Sequence, residues 1–152
     1  MRTILAGVSA LLALATAAAA SAQDYSLEPN YGVVRGIGYP DPYLFNLTAG
    51  GPQSAATPGG GCRGYISQAP DIRYQHRSGS LPLIISARSD ADLTLIVNAP
   101  DGSWICDDDS GEGLNPSIRF DTPLSGAYDI WVGTYGPQTA PATLSISEQT
   151  GV

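Results

Sequence analysis

The sequence predicts an all-β fold, a two-sheet antiparallel β-sandwich of jelly-roll-like type, and three observations carry that prediction. Short runs rich in Val, Ile, Leu, Tyr and Thr recur from residue 43 to residue 147, with the alternation that strands need. Glycine and proline punctuate these runs, at 18 and 12 residues in a chain of 152; that density argues against long helices. No period of roughly 20–50 residues repeats, which sets solenoids aside. Many short strands in a chain of one-domain length fit a sandwich with one core.

Taken in order, the chain opens on an address rather than a strand. Arg2 supplies a short positive region, Ile4 to Ala20 is apolar and alanine-rich, and Ala20-Ser21-Ala22 is a small-x-small cleavage pattern. The apolar run is short for the roughly 20 residues of a membrane span, and no basic stop-transfer flank follows it. Residues 1–22 are therefore expected to be a cleaved signal peptide, and residues 23–152 a single β-sandwich domain. The product is expected in the periplasm or secreted, with no membrane insertion after cleavage.

After a polar entry from Gln23 to Asn30, strands are expected at Tyr43–Thr48, Arg63–Ser67, Ile72–Arg77, Leu83–Arg88 and Leu93–Asn98. Trp104–Cys106, Ser117–Phe120, Tyr128–Thr134 and Ala142–Ser147 follow. Ala49 to Gly61 (AGGPQSAATPGGG) is read as a flexible loop. Pro100-Asp101-Gly102 is a turn signal, with Gly102 able to take positive φ. Leu93, Leu95 and Val97 share one face of a strand, as do Ile130 and Val132, and these are core candidates. Trp104 and Trp131 suit either carbohydrate stacking or packing on the sheet, and their strand positions favour packing. His76, between Arg73 and Arg77, is read as an exposed strand residue. Arg73, Arg77 and Arg88 form a modest basic face or pair with Asp71 and Asp90. Asn46-Leu47-Thr48 matches a glycosylation sequon, uninformative in a strand-like context.

Charge is concentrated. Eight of the 14 acidic residues lie between Asp90 and Asp121, against the single Arg119. The chain has seven arginines and no lysine. Without a basic stripe it is not expected to bind nucleic acid, whose phosphates demand clustered cations, or to dock on anionic lipid. The two cysteines, Cys62 and Cys106, fall in the exported part, so a disulfide is expected, with two buried thiols as the alternative. Closing that loop would constrain the unfolded chain by roughly 4 kcal/mol. No CxxC or Cys/His cluster supports zinc or thioredoxin-like chemistry.

Asp107-Asp108-Asp109 with Glu112 is the strongest chemical constellation. Adjacent carboxylates stay ionised together only when solvated or bridged by a cation, and calcium accepts many hard oxygens in flexible geometry. In extended chain Asp107 and Asp109 point to one side and form the natural pair. Asp101, Glu112 and Asn115 could complete a calcium shell. The spacing is not that of an EF-hand, and a solvated acidic loop is the alternative. Two catalytic readings are weaker. Asp109-Ser110-Gly111 has the D-S-G of a chymotrypsin-like nucleophile, but Asp108 precedes it, Glu112 follows it, and His76 lacks an A-H-C setting. The same tripeptide in a homodimeric aspartic peptidase would follow an apolar strand, whereas here it follows Asp107 and Asp108.

Within Asp90–Tyr135 the segments SDADLTLIVNAPDGSW, CDDDSGEGLNPSIRF and PLSGAYDIWVGTY resemble the bacterial pre-peptidase C-terminal domain family. The shared pattern is an Asp-containing strand, a P-x-G turn, an acidic Asp/Gly loop and an S/A-G-x-Y strand. PDPYLFNLTAGG and CRGYISQAPDIRY resemble the small, stand-alone exported form of that family. The resemblance implies a β-sandwich, often attached to secreted peptidases, that assists secretion, stability or substrate attachment without being the catalyst. Related collagen-binding modules bind calcium, which adds to the case for Ca2+ here. Tyr128, after Ser125-Gly126, resembles a corner tyrosine whose hydroxyl ties a loop. The expected function is a non-catalytic binding or accessory module contacting protein or polysaccharide outside the cytoplasm. A structural component of the cell envelope or an extracellular assembly is the alternative, and a small secreted peptidase or peptidase-associated protein is the second.

Overall fold

A computed structural model describes residues 23–36, 40–57 and 61–152. The expected signal peptide, residues 1–22, lies outside the described residues, as do residues 58–60 of the expected loop. Among the described residues every regular element is a strand, in the order β1 (Val33–Arg35), β2 (Tyr43–Ala49), β3 (Gln53–Ser54), β4 (Tyr65–Ile66), β5 (Ile72–His76) and β6 (Leu83–Arg88). Then come β7 (Leu93–Asn98), β8 (Trp104–Asp107), β9 (Ser117–Phe120), β10 (Gly126–Thr134) and β11 (Ala140–Ser147). No helix among the described residues is long and apolar enough to cross a membrane.

Eight principal strands form two sheets, one ordered β5-β10-β7-β8 and the other β2-β11-β6-β9. The chain passes between the sheets at β2→β5, β5→β6, β6→β7, β8→β9, β9→β10 and β10→β11. That is the jelly-roll form of a sandwich. Pairing is antiparallel apart from β1, which lies parallel on β5. Period-two alternation explains the packing. Leu93, Leu95 and Val97 of β7 face the opposite sheet, where Leu83, Ile85 and Leu144 meet them in the main core. Ile130 and Val132 join them, as their spacing predicts.

The alternate positions of the same strands build a second, smaller core on the outside of the β5-β10-β7-β8 sheet. Ile66, Ile96 and Trp131 are fully buried there, with Ala55, Trp104, Cys62 and Cys106 packed around them. The disulfide forms between Cys62 and Cys106, with Cα atoms 5.5 Å apart. It pins the chain after residue 61 onto β8, directly beside Trp104.

Strand β10 changes partner along its length, and the change explains a buried acid. Ile130 pairs with Ile72 of β5, and Thr134 pairs with Tyr65 of β4. Between them the chain from Ser67 to Asp71 bends away and leaves the Val132 N–H without a strand carbonyl. Asp71 Oδ2 accepts that N–H at 2.8 Å. Asp71 Oδ1 accepts weaker bonds from Asn30 Nδ2 (3.3 Å) and Ser67 Oγ (3.4 Å). Burial pushes its pKa up to about 6, against the pull of those three donors.

Three sequence expectations are corrected. His76 is buried rather than exposed, because it shares the inward face of β5 with Ile72 and Tyr74. Its ring lies 5.7 Å from that of Tyr74 and 6.0 Å from that of Tyr128, and burial lowers its pKa. Arg73 pairs with Asp129, Nε to Oδ1 at 2.7 Å, and not with Asp71. The Ala49–Gly61 segment carries β3, which pairs with β4.

Candidate functional site

The acidic loop follows β8, and its carboxylates are divided between construction and surface. Asp107 spends both oxygens inside the loop. Its Oδ1 accepts the Ser110 hydroxyl at 2.6 Å, and its Oδ2 accepts the N–H groups of Ser110 (3.0 Å) and Ser117 (2.8 Å). It thus closes the loop and ties β8 to β9. Asn115 does the same at the other side. Its Oδ1 accepts Ser89 N–H at 3.0 Å, and its Nδ2 donates to the Glu112 carbonyl at 2.9 Å.

Asp101 is separated from this loop. It sits in the β7–β8 turn, accepting Ser103 N–H (3.0 Å) and Ser103 Oγ (2.6 Å). Gly102 takes φ +81° there, as the turn signal predicts. From Ser103 at the end of that turn to Asp107 at the end of β8 is four residue steps, about 13 Å at strand rise. Of the five expected ligands, Asp101 therefore stands apart from Asp107, Asp109, Glu112 and Asn115, and the side-chain oxygens of Asp107 and Asn115 accept hydrogen bonds within the loop and from Ser89 and Ser117. No group of three His, Cys, Asp or Glu among the described residues is close enough to hold a metal ion. Asp108 meets Arg63 at 3.9 Å on the surface, a contact worth little to stability. Burial, then the charges of Asp109 and Asp108, raise the pKa of Asp92.

A different site is assembled beside the outer core. A groove of about 830 Å³ is bordered by residues 23–26, the β7–β8 turn with Trp104, and the start of β10. Trp104 packs on the buried Trp131, with ring centroids 5.5 Å apart. Tyr25, 54 % exposed, tilts against Trp104 at 6.2 Å and 57°. Asp24 and Asp129 are the acids of the lining.

Each wall has its own support. Asn98 Nδ2 donates to the Gly102 and Ser103 carbonyls, both at 3.3 Å, and holds the turn. Gly126, at φ +139°, lets β10 approach that turn, since an added Cβ would stand 2.7 Å from Pro100 Cβ. Tyr128 fastens the loop before it: its hydroxyl accepts Leu124 N–H at 2.9 Å and donates to the Leu124 carbonyl at 3.1 Å. The N-terminal wall is held by Arg73, whose Nη2 donates to the Tyr25 and Leu27 carbonyls. Asp24 N–H adds a bond to the Gln68 carbonyl at 2.8 Å. Asp129 fixes Arg73 from behind, and burial raises the Asp129 pKa while Arg73 holds it down.

The residues of the weaker peptidase reading sit on different elements. Ser110 Oγ is bonded to Asp107 in the acidic loop, whereas His76 lies on β5 with Tyr74 and Tyr128 as ring neighbours. No protein-family model matches the chain, and no curated protein matches it.

Proposed function

We propose that this chain is an exported, non-catalytic β-sandwich module of the pre-peptidase C-terminal kind that binds protein or polysaccharide outside the cytoplasm. The groove bordered by Tyr25 and Trp104 carries the reading. It joins an accessible aromatic surface to a few fixed polar groups, the make-up of a recognition site. Its walls rest on a disulfide-stapled sheet, a support suited to an oxidising compartment. The commitment of Ser110 to Asp107 and the burial of His76 favour binding over hydrolysis. The acidic loop serves as a solvated surface braced from within by Asp107 and Asn115.

Glycan and peptide arrays probed with the purified protein test the proposal. The expected result is a ligand whose binding is lost in Tyr25→Ala and kept in Ser110→Ala. Casein hydrolysis that disappears in Ser110→Ala would overturn it in favour of a peptidase.

A further inference from the structure

We infer that the groove beside Trp104 takes a cationic side chain, lysine or arginine, presented by a polypeptide. This names the ligand class for the binding module proposed above and rests on that reading.

The aromatic geometry is the first support. A pyranose stacks best on a flat, open ring face, but Tyr25 and Trp104 meet at 57°, and the buried Trp131 occupies one side of Trp104 at 5.5 Å. Two tilted aromatic rings bordering one groove form a corner, and a compact cation over such π faces gains from both rings.

Charge is the second support. The groove lining contains Asp24 and Asp129 and no arginine, and Asp101 stands in the adjoining turn. Asp24 Oδ1 holds Ser26 through its N–H (2.9 Å) and hydroxyl (2.6 Å), so its carboxylate is fixed in place. Asp129 Oδ1 holds Arg73. The Oδ2 atom of each makes no hydrogen bond to the described residues. Asp129 is only 5 % exposed as a residue and belongs to the groove lining, so a charged donor reaching its second oxygen would be partly desolvated and gain more than at an open surface. An incoming ammonium or guanidinium would meet aromatic faces and two carboxylate oxygens, while its aliphatic stem covers apolar wall.

The test uses Gly-spaced tri-lysine and tri-arginine peptides, the neutral tri-citrulline peptide, and the neutral oligosaccharides chitohexaose and xylohexaose. Binding to the purified protein is followed by tryptophan fluorescence and calorimetry. The cationic peptides are expected to bind, and the citrulline peptide to bind at least about tenfold more weakly. Tyr25→Ala and Asp24→Asn should each weaken the cationic peptides by about tenfold, because both sit on the exposed wall. The double variant Asp108→Asn/Asp109→Asn should leave binding unchanged, which separates the groove from general attraction to the acidic loop. Loss of binding in that loop variant, with Tyr25→Ala unaffected, would overturn the assignment to the groove. Tyr25-dependent binding of an oligosaccharide but of no cationic peptide would overturn the ligand class and leave the binding-module reading standing. Failure of every probe here and on the arrays would overturn both.

Discussion

The two cores of this protein are built from opposite faces of the same strands, yet they are held in different ways. In β7, Leu95 points between the sheets and Ile96 points outward; in β10, Val132 and Trp131 divide likewise. The inner core is mainly aliphatic, with Tyr74 and Tyr128 buried in it, and is closed by long strands of both sheets. The outer core is aromatic and is closed by pieces too short to hold themselves: β3 and β4 of two residues each, the segment around Asp24 and Tyr25, and the chain at Cys62. A covalent bond and single polar contacts replace the missing ladder. The inner core specifies the fold, and the outer core carries the surface proposed to bind.

Removing the staple should produce the largest change. Cys62→Ser/Cys106→Ser is expected to lower unfolding free energy by about 4 kcal/mol in the loop-entropy account. Near-UV circular dichroism of Trp104 and Trp131 should change before far-UV strand signal is lost. Loss of both signals together would erase the distinction between the cores. Next, Leu95→Ala should cost about 3 kcal/mol in urea unfolding through the cavity it leaves. It should leave the folded protein's tryptophan signals intact, because both indoles lie on the other side of the sheet.

The pH dependence sharpens the comparison at the seam where β10 changes partner. Asp71 binds its proton more tightly folded, at about pH 6, than unfolded, at 3.8. Its contribution is therefore greatest at low pH and declines as pH rises through that window, by about 3 kcal/mol at the usual conversion. Asp71→Asn keeps an oxygen for the Val132 N–H and should flatten the slope between pH 4 and pH 6, as read by urea unfolding at each pH. A slope unchanged in Asp71→Asn would place its source elsewhere. The smallest effects belong to the acidic loop. Asp107→Ala should cost about 2 kcal/mol by orphaning two N–H groups, and Asp109→Ala about 0.5 kcal/mol or less. Millimolar calcium should leave the melting temperature unchanged, since Asp107 and Asn115 are already engaged.

Alternation made most of this legible. The bounds of β6, β7 and β9 follow from the sequence, and the others differ by one to three residues. Strands β1 and β3 escaped because two or three residues carry no period. His76 was misplaced because its arginine neighbours outweighed the period it shares with Ile72 and Tyr74. The acidic run showed charge but not commitment; the spacings Asp24–Ser26, Asp101–Ser103 and Asp107–Ser110, each a short carboxylate-to-serine turn, carry that signal. The groove was not legible. Tyr25 is remote in sequence from Trp104, and only the tertiary fold brings them together.

Native-state hydrogen exchange tests the two-core account most directly. The amides of Asp24, Asn30 and Ala55, bonded to the carbonyls of Gln68, Pro70 and Gly64, belong to the outer cover. They are expected to exchange through local opening, about a hundredfold or more faster than the paired amides of β7, β10 and β11. Equal protection of the two sets would show one cooperative unit and contradict the account.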